Sequence, residues 1–358
     1  MTLSYADLTT RVLQFLQDTG AATYDSTETD YAIRNELKRL SRYAPVIIEG
    51  LYKIESRTGV DTAGTANKLT DSTKSQFVAA DETLQKAVHN TTEDTWAVVK
   101  NYDSASVLTL SRDIMNDGDS YQIYNRYCVN KRQVNLGLTP EFLWIDSVEY
   151  PINTERNFHQ TSWHTIEIDV DDSAIPDSDP TEDPPNNVRI LVRFAFPQVV
   201  SQLTDWDGEL SGAAAEGATT ISIDGMGTTE TIKVGELFNL EDHITTYTVT
   251  TEVTMVAGAG NLVFFPALEA AALNNDDITF IKSTLQPNLE DLLERMVASR
   301  AVQSNSINYI NATNLGGPKT MQDYQQWINN NPLLSPVLLL RELEALAHPK
   351  SAKILART

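Results

Sequence analysis

Cysteine is almost missing from this chain. Cys128 is the only one in 358 residues, which excludes an intramolecular disulfide framework and any Cys-rich zinc site. Basic residues are also scarce: 27 Lys and Arg face 49 Asp and Glu, a formal net charge of −22. A protein that grips nucleic acid through a basic surface needs clustered Lys and Arg, so that class is disfavoured. No apolar run approaches the ~20 residues needed to cross a bilayer, and no membrane association is expected. The opening MTLSYADLTT carries no basic flank followed by an apolar core, so no secretory signal is expected either.

Catalytic and metal signatures are absent too. The five histidines are His89, His159, His164, His243 and His348. Only His159 and His164 are close, and five apart on a strand they fall on opposite faces. Gly-x-Ser-x-Gly, a P-loop and a dinucleotide-type glycine motif do not occur, and Cys128 has no neighbouring His or Lys. No nucleophile–base pair can be picked out. The sequence therefore predicts no enzyme, no catalytic residue, no cofactor and no metal centre. What remains is ordinary globular composition, 41% hydrophobic and 21% charged, at a length that suits several domains.

Five segments emerge from the patterning. Residues 1–58 read as helical: Ser4 and Asp7 form a capping pair ahead of Leu8, Val12, Phe15 and Leu16. Thr27 and Asp30 are expected to start a second helix buried through Ile33, Leu37 and Leu40, with Pro45 limiting it. Residues 59–126 read as a β module, with strands at Thr95–Val99, Ser106–Leu110 and Tyr121–Tyr124. Residues 127–207 are also strand-like, interrupted by the acidic, proline-rich loop 169–183. That loop either stays solvated or collects calcium, although it lacks the Asp-x-Asp-x-Asp-Gly order.

A second β module occupies 211–282, and Gly258 with Gly260 suggests a hairpin turn inside it. Both modules end on an Asn/Asp-rich turn followed by a strand, Asn116 to Asp119 in one and Asn274 to Asp277 in the other. Both also carry a run of the type VLTL or LVFF, so a degenerate internal repeat is a candidate. Residues 283–358 return to helix, beginning at Pro287 with Leu289, Leu292, Leu293 and Met296. Another helix is expected from Thr320, buried through Met321, Tyr324, Trp327 and Ile328, and a last one from Val337 to Ala347.

Two features suggest partners. Leu338, Leu339, Leu340 and Leu343 cannot all face one core, so some need the N-terminal helices or another subunit. Arg34, Lys38 and Arg42 repeat every four residues along the second helix, with Arg39 alongside. They form either a solvated face paired to Glu36 and its neighbours, or a docking stripe for an acidic partner.

The stretch Tyr24 to Asp30 (YDSTETD) followed by Ala32 to Ser41 (AIRNELKRLS) resembles the opening of head-to-tail adaptor, or connector, proteins of tailed bacteriophages. The β module from Gly217 to Phe280 also looks like accessory domains that decorate phage virion proteins. The resemblance implies an α+β multi-domain fold, with a discontinuous helical domain from the N- and C-terminal segments and all-β modules inserted between them. It implies a homo-oligomeric, dodecameric ring in the virion neck, made in the bacterial host cytoplasm. Its partners would be the portal protein and the downstream neck or tail proteins. Duplex DNA would pass an acidic, non-adhesive channel without specific binding. A tail, baseplate or fibre-attachment protein would share the β modules. A secreted carbohydrate- or calcium-binding protein and a hydrolase are the remaining alternatives.

Overall fold

The computed structural model describes residues 3–21, 24–137, 142–162, 164–175, 189–227, 229–312 and 335–346, with main chain alone over 305–312. Two compact units result: Met1–Val46 with Ala195–Trp206 and Ile281–Thr358, and Ile47–Phe194 with Asp207–Phe280.

In the first unit, α1 (Tyr5–Phe15) starts where the Ser4 hydroxyl accepts the Asp7 amide at 3.1 Å, the cap its sequence predicts. α2 (Ser26–Ser41) is capped by Asp25 rather than Thr27: its carboxylate accepts the Glu28 amide at 2.8 Å. Asp30 lies inside the helix and serves three neighbours instead. It accepts hydrogen bonds from the Tyr5 hydroxyl and from Gln202 Nε2, and pairs with Arg34 at 2.9 Å. α4 (Pro287–Ala312) and α5 (Pro336–Leu346) each open on a proline, which has no amide to orphan in a first turn. Leu8, Val12, Ile33, Leu293, Leu339 and Leu343 lie in one apolar core. Gln198 joins the middle segment to it: its amide donates to Ser41 Oγ at 2.9 Å and its Nε2 to the Ala44 carbonyl at 2.8 Å.

The α+β expectation, with a helical domain made from the two termini, is overturned. The protein is mostly β, 35% strand against 22% helix, with five helices among the described residues and a closed six-stranded barrel. The unit that holds α1, α2, α4 and α5 also takes in the extended segment Ala195–Trp206. Residues 1–58, read as helical, contain β1 (Val46–Lys53). Its β-branched run Val46, Ile47 and Ile48 comes after Pro45, and such residues fit a pleated surface better than a helix turn. The helix expected at Thr320, with Met321, Tyr324, Trp327 and Ile328, lies outside the described residues.

The β structure comprises several sheets. One runs β1-β13-β9-β10, where β9 is Trp144–Glu149, β10 Glu155–Arg156 and β13 Arg189–Phe196. A three-stranded sheet joins β11 (Phe158–Gln160), β12 (Thr165–Ile168) and β8 (Gln133–Asn135). A six-stranded sheet holds β2 (Thr58–Val60), β3 (Lys68–Thr70), β4 (Ala87–Asn90), β5 (Thr95–Ser104), β6 (Val107–Leu110) and β7 (Ser120–Tyr124), in the order β2-β7-β4-β5-β6-β3. Its short helix α3 (Ala80–Thr83) precedes β4. The closed barrel holds β14 (Asp207–Leu210), β15 (Thr220–Asp224), β17 (Leu237–Leu240), β18 (Thr246–Thr251), β20 (Gly260–Phe265) and β21 (Asp277–Phe280). β16 (Thr231–Ile232) and β19 (Val253–Thr254) pair antiparallel as a separate two-stranded sheet.

Read from β14, the barrel order is β14-β21-β17-β18-β20-β15, strand for strand the order of the six-stranded sheet. The register matches as well. Gly59 faces Tyr121 as Gly208 faces Ile278, and Val88 faces Ala97 as Phe238 faces Tyr247. A register shift occurs after Val99 in β5 and after the corresponding Val249 in β18. Asp119 accepts the Asn116 amide as Asp276 accepts the Leu273 amide, and the preceding residue has positive φ in both, Gly118 and Asn275. This correspondence supports the internal repeat, with Asp119 matching Asp276. Leu108 and Leu262, both fully buried, occupy equivalent positions, one residue off a direct alignment of VLTL with LVFF.

Candidate assembly surfaces and a buried charge cluster

On α2 the outward face carries Tyr31, Arg34, Lys38 and Arg42, all exposed. Arg34 is engaged by Asp30 and Arg39 faces Glu36 at 3.5 Å, as the solvated-face reading expects. Glu36 is buried and accepts from Arg300 of α4 at 2.8 Å, and the Arg300 guanidinium also lies 5.6 Å from the centre of the Tyr31 ring. These side chains border a cleft of about 580 Å³ in the first unit, whose apolar wall includes Met296, Pro336 and Leu339.

The α5 leucines separate by helix face. Leu339 and Leu343 are buried in the core shared with α1, α2 and α4, Leu340 is half-buried, and Leu338 is exposed beside the exposed Val337. Arg295 of α4 holds Glu342 of α5 at 2.8 Å.

In the second unit a charge cluster is nearly shut off from water, a feature that sequence patterning did not predict. Arg57 is 1% exposed; its Nε donates to Glu55 at 2.9 Å, and two further nitrogens reach Asp81. Lys86 is buried 3.2 Å from Glu55. Burial alone would raise the Glu55 carboxyl, but the charges of Arg57 and Lys86 outweigh it and hold that carboxyl well below the usual range. The alternation of charges in ESR, residues 55 to 57, was the available signal. It looks like an ordinary solvated run, yet all three residues are buried.

The surface of 207–280 carries polar pairs beside the exposed Val234, Ile244, Val256 and Leu273. Ser222 donates to Asn261 at 2.7 Å and Thr246 to Asn239 at 2.9 Å, while Asp207, Glu209 and Asp277 are exposed. A closed barrel leaves no strand edge for another chain to extend. Cys128 is buried, which pushes its thiol up to about 12. His89 stacks on Trp96 and meets Asp94 at 2.8 Å, and His159 lies 3.9 Å from Glu167. Among the described residues no group of three or more His, Cys, Asp or Glu is placed to hold a metal ion. Residues 176–183 of the acidic loop, and His348, lie outside them. No helix among the described residues is long and apolar enough to cross a membrane.

No protein-family model matches the chain. No curated protein matches it either.

Proposed function

We propose that this chain is a non-enzymatic structural subunit of a tailed-phage neck, a head-to-tail adaptor that assembles as a ring against the portal and the downstream tail proteins. The observation that carries the reading is the surface of the first unit. There a cationic helix face, an open cleft with an apolar wall, and the exposed pair Val337 and Leu338 lie on one folded body. Such a mixture of apolar and charged exposed groups suits a protein–protein contact. The opening that resembles connector proteins forms part of that same body. Twelve Asp and Glu against one Lys in 207–280 suit a module that stays clear of DNA phosphate.

Native mass spectrometry and negative-stain imaging of the protein mixed with its portal are expected to find a ring on the portal. A protein that leaves the portal bare contradicts the reading. The double variant Lys38→Glu, Arg42→Glu should change stability by less than about 0.5 kcal/mol, because both side chains are exposed, and yet abolish docking. Docking that survives removes the stripe from the interface. The second reading, a tail, baseplate or fibre-attachment subunit, is favoured by the predominance of strand over helix.

A further inference from the structure

Cross-strand pairing in the first six-stranded module brings an amine, an amide and a carboxylate together. Ala87 of β4 lies opposite Tyr124 of β7, so Lys86 and Asn125 are the next residues beyond that pair. Lys86 Nζ lies 2.7 Å from Asn125 Oδ1. The amide is held in that orientation because its Nδ2 donates to the Lys53 carbonyl at 2.9 Å. Glu55 Oε2 stands 3.2 Å from the same Nζ, at the outer limit of reach for a general base. Lys86 and Glu55 are both buried, and a cavity of about 200 Å³ borders all three side chains.

We propose that Lys86 and Asn125 join through an intramolecular isopeptide bond, with Glu55 as the base that starts the reaction. One proton passes from the Lys86 ammonium to Glu55. The freed Nζ lone pair adds to Cγ of Asn125, forming the Nζ–Cγ bond. A second Nζ proton moves to Nδ2, the Cγ–Nδ2 bond breaks, and its electron pair leaves with ammonia. Nothing is oxidised or reduced, and the bordering cavity receives the leaving group.

The Arg57 charge favours the Glu55 carboxylate and so opposes the first transfer, but the transfer leaves no unpaired charge behind. Arg57 holds Asp81 as well as Glu55, so a protonated Glu55 leaves Arg57 and Asp81 as a neutral pair. Fixed proximity replaces the lost freedom of two reactants, and the bond has to form only once per molecule. The product would clamp the end of β7 to the start of β4. At the position of Lys86 the second module carries Glu236: the Val249 amide donates to its carbonyl as the Val99 amide donates to that of Lys86. The clamp is therefore confined to the first module. The inference does not rest on the neck-protein reading.

The test is the intact mass of the folded full-length protein. It should fall short of the sequence mass by one ammonia, about 17 Da, and proteolysis should release a branched peptide joining the segments around 86 and 125. Lys86→Arg and Glu55→Gln should each restore the sequence mass and remove the branch. Wild-type protein at the full sequence mass overturns the proposal, whatever the variants do. So does a loss of ammonia without that branched peptide, which would indicate an amide cyclised elsewhere.

Discussion

Residues 58–124 and 207–280 run six strands in one order, yet they close the seam between first and last differently. In the second module β14 and β15 pair directly, Glu209 with Asp224 and Leu210 with Ile223. In the first, the Thr62 amide donates to the Thr70 carbonyl, and the buried carboxylate of Asp61 does the rest. It accepts the Thr70 amide at 2.6 Å and the Gly64 amide at 2.7 Å. Asp61 and Leu210 are equivalent: each exchanges main-chain hydrogen bonds with the two residues of the Asp-turn, Gly118 and Asp119 or Asn275 and Asp276. Their interiors differ in the same sense. In the second module Phe238 stacks on Tyr247 and meets Phe264 edge-on and Phe280 at a tilt. In the first, Tyr121 donates to Asp71 at 2.6 Å and Gln76 donates to the Tyr121 hydroxyl at 2.8 Å. One backbone pattern thus tolerates either an interior of contacting aromatic rings or an apolar cluster into which a hydrogen-bonded tyrosine is set.

The largest effect that sharpens this contrast is expected in the aromatic core. Phe238→Ala should cost about 3–5 kcal/mol, whereas the equivalent Val88→Ala should cost about 1.5–3 kcal/mol; urea denaturation measures both. Equal costs would mean that the two interiors are filled alike. Next comes the seam. Asp61→Ala removes the acceptor of the Thr70, Gly64 and Ala63 amides and should cost about 2–3 kcal/mol, with faster hydrogen exchange at Thr70 and no change in the barrel. Unchanged exchange would show that the carboxylate does not close the sheet.

The smallest effect is a difference in acid response. Burial lowers the pKa of His243 below its ordinary 6.5, although Glu269, Asp276 and Asp242 oppose the shift. A His lowered by folding stabilises above its unfolded value, and that contribution is lost as pH falls through the folded value. The second module should therefore begin to weaken below pH 6.5. In the first module the Asn116 amide lowers the pKa of Asp119, so its contribution persists until the pH falls below 3.8. Hydrogen exchange at pH 5.5 and 7.5 separates the two, since only the barrel 207–280 should loosen, and His243→Gln should flatten its response. Equal loosening of both modules would break the contrast.

Local signals were legible where chemistry is short-range. Ser4 and Asp7 announced a helix start, and the Asn/Asp-rich turns marked the repeat before its strands could be counted. The second cap was misplaced because Thr27 and Asp30 fit the same spacing as the true pair, Asp25 and Glu28. The repeat was aligned one residue out at its turn. Gly118 and Asn275 share a positive φ that only the backbone reveals, while the letters favour matching Asn116 with Asn274. β1 was missed because Pro45 reads as a helix stop, and a stop carries no information about the type of the next element. The cluster of Glu55, Arg57, Asp81 and Lys86 was hidden because its members are spread along the sequence and meet only when the sheet forms.

Immunogold labelling of intact phage particles, with an antibody against the barrel 207–280, tests the neck assignment most directly. Gold at the junction of head and tail is the predicted result. Gold confined to the tail tip or fibres would contradict it.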